Sequence, residues 1–404
     1  MNYYFLKLGK IILTKPKRKF KISANLILNI FVGAFTLYLI YYFCTSEDGL
    51  IDLFSTPNSF IPLWLIIAVV VYDFNIIIDS FVTLLFIRTQ FPEFRFIDAM
   101  KVAFVGVFFS AVTPSSTGGQ PMQLYLFSKM NVSVGFSSAC MTQKFLIYQI
   151  VTALYSVFSI ILRPSYFESA FTNFWSTAFV IMGLVFQLSV MAGFVVLSFC
   201  KRITGKILQF VDWLMHKLKF VKNPDKKIAS IRKEVEGFHK YNKIIMKDKK
   251  LLISSYILIF FQVLCVMAAP YFIYISFGMP EIAVANGQPV GSFFDFVCIQ
   301  SFVVFTSNLI PLPGASGGAE LAFTMYFSQF FIVGAVNKIK PAILLWRFSS
   351  YYGPLIISAP FSYLTKGKKR DDVLKKELEE SEISSDDEIS AEASTESVTT
   401  KISS

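Results

Sequence analysis

Two Pro/Gly-rich strings interrupt apolar sequence, and their residue types suit the binding of an anion. Residues 113–121 read TPSSTGGQP and residues 311–320 read PLPGASGGAE, with Pro114 and Pro313 each followed four and five positions later by Gly-Gly. Proline and glycine break helices, and a helix that restarts after a break points free backbone N–H groups and the positive end of its dipole at that break. Phosphates and carboxylates bind at such helix ends. The two strings therefore predict a paired anion site.

The side chains and glycines of the strings extend the predicted site. Glycine lets a backbone approach a ligand closely, while hydroxyl and amide groups supply hydrogen bonds. The predicted substrate-binding residues in and beside the strings are Pro114, Thr117, Gly118, Gly119, Gln120, Gln123, Pro313, Ser316, Gly317, Gly318 and Glu320. The alternative interpretation is that the small residues only let helices pack closely.

Two basic residues within apolar sequence are candidates to hold the anionic group. Lys144 and Arg347 lie 30 and 34 residues after Pro114 and Pro313, and ionisable residues inside membrane spans are costly enough to indicate function. Glu320 would either pair with Arg347 or meet a cationic substituent of the ligand. For both cations the alternative is a side chain that extends to the membrane surface.

The apolar segment 60–87 carries a stripe of polar side chains at spacings of 3, 4 and 4 residues. The stripe consists of Tyr72, Asn75, Asp79 and Thr83. This spacing places them on one face of a helix, which we expect to turn towards the interior of a helix bundle. Asn75 and Asp79 are added to the candidate site. Asp73 lies off the stripe, and for it a hydrogen bond between helices and a transport role both stay open.

Other chemistries are excluded because the residues that they need are missing from the right places. The string GASGG at 314–318 matches the nucleophile elbow of serine hydrolases, which needs a base beside the serine. The two histidines, His216 and His239, lie instead in a basic segment that we expect outside the membrane. The five cysteines fall in or at the ends of apolar segments without a CxxC pair, as packing residues do. We predict no metal and no cofactor.

The elements that position these residues must lie in a membrane, because 54% of the 404 residues are hydrophobic and only 16% are charged. Such a composition is typical of a polytopic membrane protein. About six windows reach the roughly 20 apolar residues that cross a bilayer. They are 22–44, 60–87, 136–162, 172–200, 251–277 and 341–364. Basic residues flank these windows, which fits the positive-inside rule, so we expect no nucleic acid partner.

Loop charges predict the topology, because each crossing reverses the side on which the next loop lies. Residues 1–21 contain seven Lys/Arg and segment 201–250 has a net charge of +10, so both are assigned to the cytosol. The segment 97–130 then begins and ends inside, and 292–334 begins and ends outside. Each is predicted to be a re-entrant hairpin of two short helices. For the first, two full crossings would preserve the same parity.

The predicted fold is thus an all-α polytopic membrane protein with about six full spans plus two re-entrant broken-helix hairpins, arranged as an inverted repeat. The first membrane repeat is assigned to 22–163 and the second to 172–364. Paired broken segments in two inverted halves point to the binding site of a transporter.

Three peripheral segments complete the predicted organisation. Residues 1–21 form a basic cytosolic N-terminus, and 201–250 form an insertion of basic amphipathic helices on the inner membrane surface. Residues 365–404 form a disordered acidic cytosolic tail, because few aliphatic and no aromatic residues occur from 371 onward. That part has a net charge of −8, whereas the remainder of the chain has +19. Both termini are expected in the cytoplasm.

The sequence resembles the lysylphosphatidylglycerol synthase transmembrane family, also described as flippase-like membrane proteins. The resemblance rests on TPSSTGGQPMQLYLFSK, PLPGASGGAELAF and LLWRFSSYYGP, and it covers about residues 20–365. It implies a multi-pass protein of a bacterial cell membrane that acts on phospholipid head groups. In full-length relatives the membrane region translocates aminoacylated phosphatidylglycerol. A separate C-terminal domain makes that lipid from aminoacyl-tRNA, which confers resistance to cationic peptides.

The residues and the resemblance together favour a lipid flippase-like transporter over an enzyme. The expected substrate is a phospholipid or aminoacylated phospholipid with an anionic phosphate head group, so membrane phospholipids are the expected partners. The forty residues after 364 are too few for an aminoacyl-transferase domain. One alternative is therefore lysylphosphatidylglycerol synthesis with a separate aminoacyl-transferase or lipid-synthesis partner. The other is ion-coupled export of a small anion.

Overall fold

The chain is almost entirely helical over the residues that the structure describes, which are 60–162, 174–217 and 224–366 of this computed structural model. In chain order the helices are α1 (Pro62–Arg88), α2 (Phe96–Val112), α3 (Gly119–Lys129), α4 (Val134–Leu162), α5 (Phe174–Phe199), α6 (Lys201–Lys217), α7 (Pro224–Lys247), α8 (Lys249–Ser276), α9 (Met279–Ala285), α10 (Phe293–Ser307), α11 (Gly318–Phe331), α12 (Ile339–Arg347) and α13 (Gly353–Ser358). A short antiparallel ribbon, β1 (Ile332–Val333) with β2 (Val336–Asn337), joins α11 to α12.

Four of these helices, α1, α4, α5 and α8, are long and apolar enough to cross a membrane. They coincide with four of the six predicted spans. The predicted span 22–44, the N-terminus 1–21 and the tail from 367 onward lie outside the described residues. The most extensive packing joins α1 to α8, which run antiparallel: the N–H of Ile61 donates to the carbonyl oxygen of Ser276 at 2.6 Å.

The two Pro/Gly-rich strings form the tips of two helical hairpins. α2 packs against α3 across a 3₁₀ turn at Pro114–Ser116, and α10 packs against α11 across a 3₁₀ turn at Pro313–Ala315. The four arms contain 17, 11, 15 and 14 residues. All are shorter than the about 20 residues that cross a bilayer. Their entry into the membrane from opposite faces stays a prediction.

The two turns have the same backbone conformation. φ is 51° at Ser115 and 61° at Gly314, and it is 55° at Ser116 and 52° at Ala315. Left-handed backbone is costly for residues other than glycine, yet Ser115, Ser116 and Ala315 all adopt it. At Gly314 packing matters as well, because a Cβ there would lie 2.4 Å from the ring of Tyr351.

Most glycines of the strings serve close packing within the hairpins. Of the four glycines in the two Gly-Gly pairs, those that face protein atoms are Gly118, Gly119 and Gly318. A Cβ on Gly119 would lie 2.0 Å from Ser110 Oγ and 2.8 Å from the carbonyl oxygen of Gly106. Gly317 differs, because it has φ +85° and open space around the position of a Cβ. The packing interpretation therefore describes three of the four glycines.

The predicted span 341–364 is not one uniform helix. A π-helical turn at Phe348–Tyr352 separates α12 from α13, and a 3₁₀ segment follows at Ala359–Lys366. Pro354 gives the physical reason: proline has no N–H to donate, and its ring would clash with the carbonyl four residues earlier in a regular helix. A wider π turn relieves that conflict and is common at functional sites.

The basic insertion contains two helices, and they differ in what covers them. α7 packs against α4, where the N–H of Gly135 donates to Glu234 Oε2 at 2.6 Å, and Asn242 and Ile245 of α7 are buried. The apolar side of α7 therefore contacts α4, and the placement of the two helices on the inner membrane surface stays a prediction. α6 in contrast exposes large apolar side chains, among them Phe210 and Trp213.

Replacement of Gly119 by alanine tests whether the glycine pair serves packing. We expect Gly119→Ala to lower the free energy of unfolding by about 1–3 kcal/mol, because the added methyl group overpacks the α2–α3 contact. Gly193→Ala in α5 is the matched control, since nothing lies within 4 Å of a Cβ there. Denaturant unfolding in detergent measures both. Unchanged stability of Gly119→Ala would contradict the packing role.

Candidate functional site

A polar cavity of about 520 Å³ lies between the two hairpins and the helices α1, α4, α8 and α12. The polar side chains of its wall are Tyr72, Asn75, Asp79, Ser110, Ser116, Gln120, Gln123, Lys144, Tyr148, Gln262, Gln300, Ser307, Asn308, Arg347, Ser350 and Tyr351. Its volume is in the usual range for small-molecule sites. Non-helical backbone at membrane depth needs protein or a water-filled cavity to satisfy it, and the two turns lie beside such a cavity.

The last helical segment joins the tips of both hairpins. The two 3₁₀ turns contact each other. The hydroxyl of Tyr351, in the π turn, donates to the carbonyl oxygen of Ala111 at 3.0 Å, at the end of α2. The ring of Tyr351 covers Gly314 at the tip of the second hairpin. One aromatic side chain thus holds the breaks of both halves together.

Lys144 forms an ion pair inside the helix bundle. Its Nζ lies 2.9 Å from Asp79 Oδ2 and 3.0 Å from Thr83 Oγ1. The other carboxylate oxygen of Asp79 accepts a hydrogen bond from Gln262 Nε2 at 3.2 Å. Lys144 and Asp79 are only 12% and 19% exposed, so Lys144 does not extend to the membrane surface. The polar stripe of α1 also turns towards the bundle interior.

Arg347 is the second cation of the cavity wall and is 7% exposed. Its Nε lies 2.7 Å from Glu320 Oε1 and forms an ion pair with it. The angle at Nε does not suit a hydrogen bond. Its Nη2 lies 3.4 Å from Ser316 Oγ, and its guanidinium group stacks over the ring of Tyr351. The second oxygen of Glu320 accepts the N–H of Gly317 at 2.7 Å. One carboxylate therefore pairs with Arg347 and also caps α11. The sequence predicted free N–H groups at this helix end, but the N–H of Gly317 already has a partner.

The equivalent end of α3 is built differently. At the offset of 199 residues that relates Pro114 to Pro313, Pro121 corresponds to Glu320 and Gln120 corresponds to Ala319. No acidic residue lies in the first turn of α3, and Gln120 lines the cavity. The N-terminus of α3 therefore lacks the built-in carboxylate that α11 has. The two halves match in backbone at the turn residues 115–116 and 314–315, but at the helix ends that follow they differ in charge and in backbone, with φ −79° at Gly118 and +85° at Gly317.

Two buried amides of the wall lack hydrogen-bond partners for their oxygens. Gln262 Oε1 and Gln300 Oε1 accept no hydrogen bond from the described residues. Asp73 Oδ1, beside Gly353, is also buried without a partner there. Buried polar groups are normally satisfied, so the amides suit a site that takes water or a polar ligand. Sequence reasoning missed Gln262 and Gln300, although an amide within an apolar window is a usable signal.

The structure brings six of the fifteen predicted site residues to the cavity wall. Those that line it are Asn75, Asp79, Gln120, Gln123, Lys144 and Arg347. Those that build the hairpin tips around it without lining it are Pro114, Thr117, Gly118, Gly119, Pro313, Ser316, Gly317, Gly318 and Glu320. The hydroxyl of Thr117 is exposed and donates to the carbonyl oxygen of Pro114 at 2.9 Å. Gln123 Nε2 donates to the carbonyl oxygen of Val102 at 3.3 Å.

Comparisons with known proteins support the conclusion that this chain is a membrane protein. The chain matches the family described as the lysylphosphatidylglycerol synthase TM region over residues 26–358. The protein "Uncharacterized protein MG306 homolog" of Mycoplasma pneumoniae is 23% identical over 265 residues, which cover 62% of this chain and 64% of that protein. The match thus spans just under two thirds of that relative. A "UPF0104 membrane protein" of Archaeoglobus fulgidus is 24% identical over 65% of this chain and 75% of its own length. No solved structure matches at a significant level.

A double-mutant cycle tests the buried ion pair. Asp79→Asn or Lys144→Met alone leaves one buried charge unpaired, and we expect each to lower the free energy of unfolding by about 3 kcal/mol. The double variant removes both charges and is expected to recover most of that loss.

The matched control is the pair Asp98–Lys101, also 2.9 Å apart but with a more exposed lysine. Its coupling energy is expected to stay below about 1 kcal/mol. Equal coupling energies for the two pairs, measured by unfolding in detergent, would contradict the assignment of Lys144 and Asp79 to the bundle interior.

Proposed function

Because the chain belongs to the lysylphosphatidylglycerol synthase transmembrane-region family, we propose that it is a lipid flippase-like transporter for a phospholipid with an anionic phosphate head group. The observation that carries the proposal is the placement of Lys144 and Arg347 in one polar cavity where two broken hairpins meet. Cations are costly at membrane depth, and there they mark pathways for charged groups. The cavity is the proposed route of the head group.

Arg347 is the proposed phosphate ligand. A guanidinium group binds phosphate through parallel hydrogen bonds, which is why arginine recurs in phosphate sites. In this structure Glu320 already pairs with that cation, with its Oε1 2.7 Å from Arg347 Nε. An incoming phosphate would displace the carboxylate from Arg347, and Glu320 would keep its second contact, the N–H of Gly317. A phosphodiester has the same single negative charge as the carboxylate, so it would compete with Glu320 through two parallel hydrogen bonds to the guanidinium group.

The remaining polar groups of the wall suit the rest of a head group. The unpartnered oxygens of Gln262 and Gln300 accept hydrogen bonds from head-group hydroxyl or ammonium groups. If the lipid is aminoacylated, its ammonium group would find Asp79 as a second partner beside Lys144. Synthesis of such a lipid would then fall to a separate aminoacyl-transferase or lipid-synthesis partner.

The proposed membrane arrangement follows from charge and length. α6 and α7 belong to the segment with net charge +10, which favours the cytoplasmic side of a cell membrane. The short arms of both hairpins favour re-entry from opposite faces, and the breaks would then meet near the midplane. This is the arrangement of an inverted repeat with one central site.

The charge of the site is tested by transport in reconstituted liposomes with fluorescent phosphatidylglycerol. Arg347→Gln removes a charged hydrogen-bond donor, and we expect it to lower the transport rate by about 10- to 100-fold. Glu320→Gln keeps an oxygen for the N–H of Gly317 but removes the competing charge, so we expect a lower half-saturating lipid concentration. Lys340→Gln, which makes the same charge change at an exposed position, is the control and should transport normally.

Two results would contradict this assignment. Full transport by Arg347→Gln would remove Arg347 from the route, and an unaltered protein that moves no lipid under any gradient would refute lipid transport itself. Uptake of glycerol phosphate in the same vesicles, without lipid movement, would identify an exporter of small anions instead.

The proposed orientation is tested by labelling of single cysteines in intact cells. In a cysteine-free background, Gln288→Cys in the exposed loop after α9 should react with an impermeant maleimide. Ser230→Cys in α7, also exposed, should react only after the cells are opened. The reverse pattern would place α6 and α7 outside the cell.

A further inference from the structure

One face of α7 carries a row of four lysines at intervals of seven residues. This lysine row consists of Lys226, Lys233, Lys240 and Lys247. Seven residues are close to two helical turns, so the four side chains lie one above the other along the helix. All four are exposed, and α7 contains seven Lys/Arg against three Asp/Glu. The helix therefore presents a positive stripe of about 30 Å.

The lysine row faces away from the helix bundle. A step of two residues turns a helix by about 200°, so Ile228 lies nearly opposite Lys226. Asn242 stands in the same relation to Lys240. Ile228 and Asn242 are buried, and Asn242 accepts a hydrogen bond from Gln143 of α4. Protein thus covers the opposite side of α7, while none of the four lysines forms an ion pair with a described residue.

The same chain contains an acidic segment, residues 377–396. It has nine Asp/Glu and no Lys or Arg in twenty positions. Runs of like charge often serve as interaction segments, because each residue adds to the same attraction. The acids are Glu377, Glu379, Glu380, Glu382, Asp386, Asp387, Glu388, Glu392 and Glu396. The acidic segment follows the described residues, which end at 366. Its charge complements that of the lysine row.

The last described segment runs antiparallel to α2 and ends near the start of that helix. Tyr351 donates a hydrogen bond to the carbonyl oxygen of Ala111, close to the end of α2. Ten residues later the ring of Phe361 stacks on that of Phe104, nearer the start of α2, with 4.4 Å between the centroids. The chain continues in this direction to Lys366. The acidic segment is therefore attached at the end of the bundle where α2 begins.

Aromatic contacts show that α7 lies at this same end of the bundle. Phe91, in the loop between α1 and α2, contacts Phe136 in the first turn of α4, with ring centroids 5.7 Å apart. Phe136 in turn contacts Tyr241 of α7 at 5.0 Å. The chain from Lys366 to Glu377 reaches about 35 Å when extended, and α7, with 24 residues, is about as long. The acidic segment can therefore reach the lysine row.

We propose that the acidic segment 377–396 binds along the lysine row of α7 in its own chain. Opposite charge favours the contact, and attachment at the same end of the bundle raises the effective concentration of the segment. An anionic lipid surface fits α6 better, because Phe210 and Trp213 are exposed there to enter a bilayer. On α7 the exposed large apolar side chains, Ile244 and Met246, are confined to the last turn. The contact is independent of the proposed transport.

The proposal is tested by disulfide crosslinking in the full chain, with Ser230→Cys and Ser385→Cys in a cysteine-free background. Ser230 is exposed and lies between Lys226 and Lys233 on the same face of α7. Ser385 lies within the acidic segment. Mild oxidation in detergent and in phosphatidylglycerol liposomes should give an intramolecular disulfide, identified by mass spectrometry. Its yield should fall about tenfold in 1 M salt, where the Debye length is about 3 Å.

Matched controls separate the lysine row from the positive charge of the whole region. Neutralising the row should lower the yield about tenfold, because four exposed ion pairs together are worth about that factor. The variant combines Lys226→Gln, Lys233→Gln, Lys240→Gln and Lys247→Gln. The same loss of charge on α6 should leave most of the disulfide. That variant combines Lys201→Gln, Arg202→Gln, Lys206→Gln and Lys217→Gln. Gln209→Cys, at an exposed position of α6, should form little disulfide with Ser385→Cys.

Three results would overturn the proposal. The first is a yield that neither salt nor the neutralised row changes, or that is equal at Gln209→Cys. The second is a disulfide that forms in detergent but is lost in phosphatidylglycerol liposomes, because the lysine row would then bind anionic lipid. The third is a disulfide between two copies of the chain, because the acidic segment would then bind a partner copy.

Discussion

The arrangement depends on one constraint: a backbone that stops being helical in hydrocarbon must find partners for its polar groups. In the proposed re-entrant arrangement, the breaks at Pro114–Ser116 and Pro313–Ala315 would face this constraint together, because their turns contact each other. Tyr351 secures the contact, with its hydroxyl on Ala111 and its ring over Gly314. That tyrosine lies in a π turn, so a third irregularity supports the first two. The polar cavity is the space that these irregular segments leave between them.

The charged groups of the cavity also need partners. Each cation is accompanied by an acid, Lys144 by Asp79 and Arg347 by Glu320. A buried charge without a partner would cost several kcal/mol, so the resting site is neutralised by its own carboxylates. The two pairs are not equivalent, since Asp79 is also fixed by Gln262 whereas Glu320 also caps α11. The second pair is therefore coupled to the tip of a hairpin.

The sequence predicted the parts of this site that have a local signature. Pro/Gly strings predicted both hairpin tips, and polar residues in apolar windows predicted Lys144, Arg347 and the stripe of α1. It left the partner of Lys144 open, because Asp79 lies 65 residues away and only packing of α1 on α4 brings the two together. The π turn was not predicted, because a proline such as Pro354 can interrupt a helix in several ways.

The unequal charge of the two helix ends has a consequence for any cycle that exposes the cavity first to one leaflet and then to the other. α11 begins with its own carboxylate at position 320, whereas α3 has Pro121 at the equivalent place. In an inverted repeat, the conformations that open the cavity to the two leaflets would then differ in free energy, so that lipid would be captured with different affinity from each leaflet. Detailed balance forbids this difference from favouring net flow by itself. The asymmetry would set which conformation waits empty, and only an external gradient would set the direction.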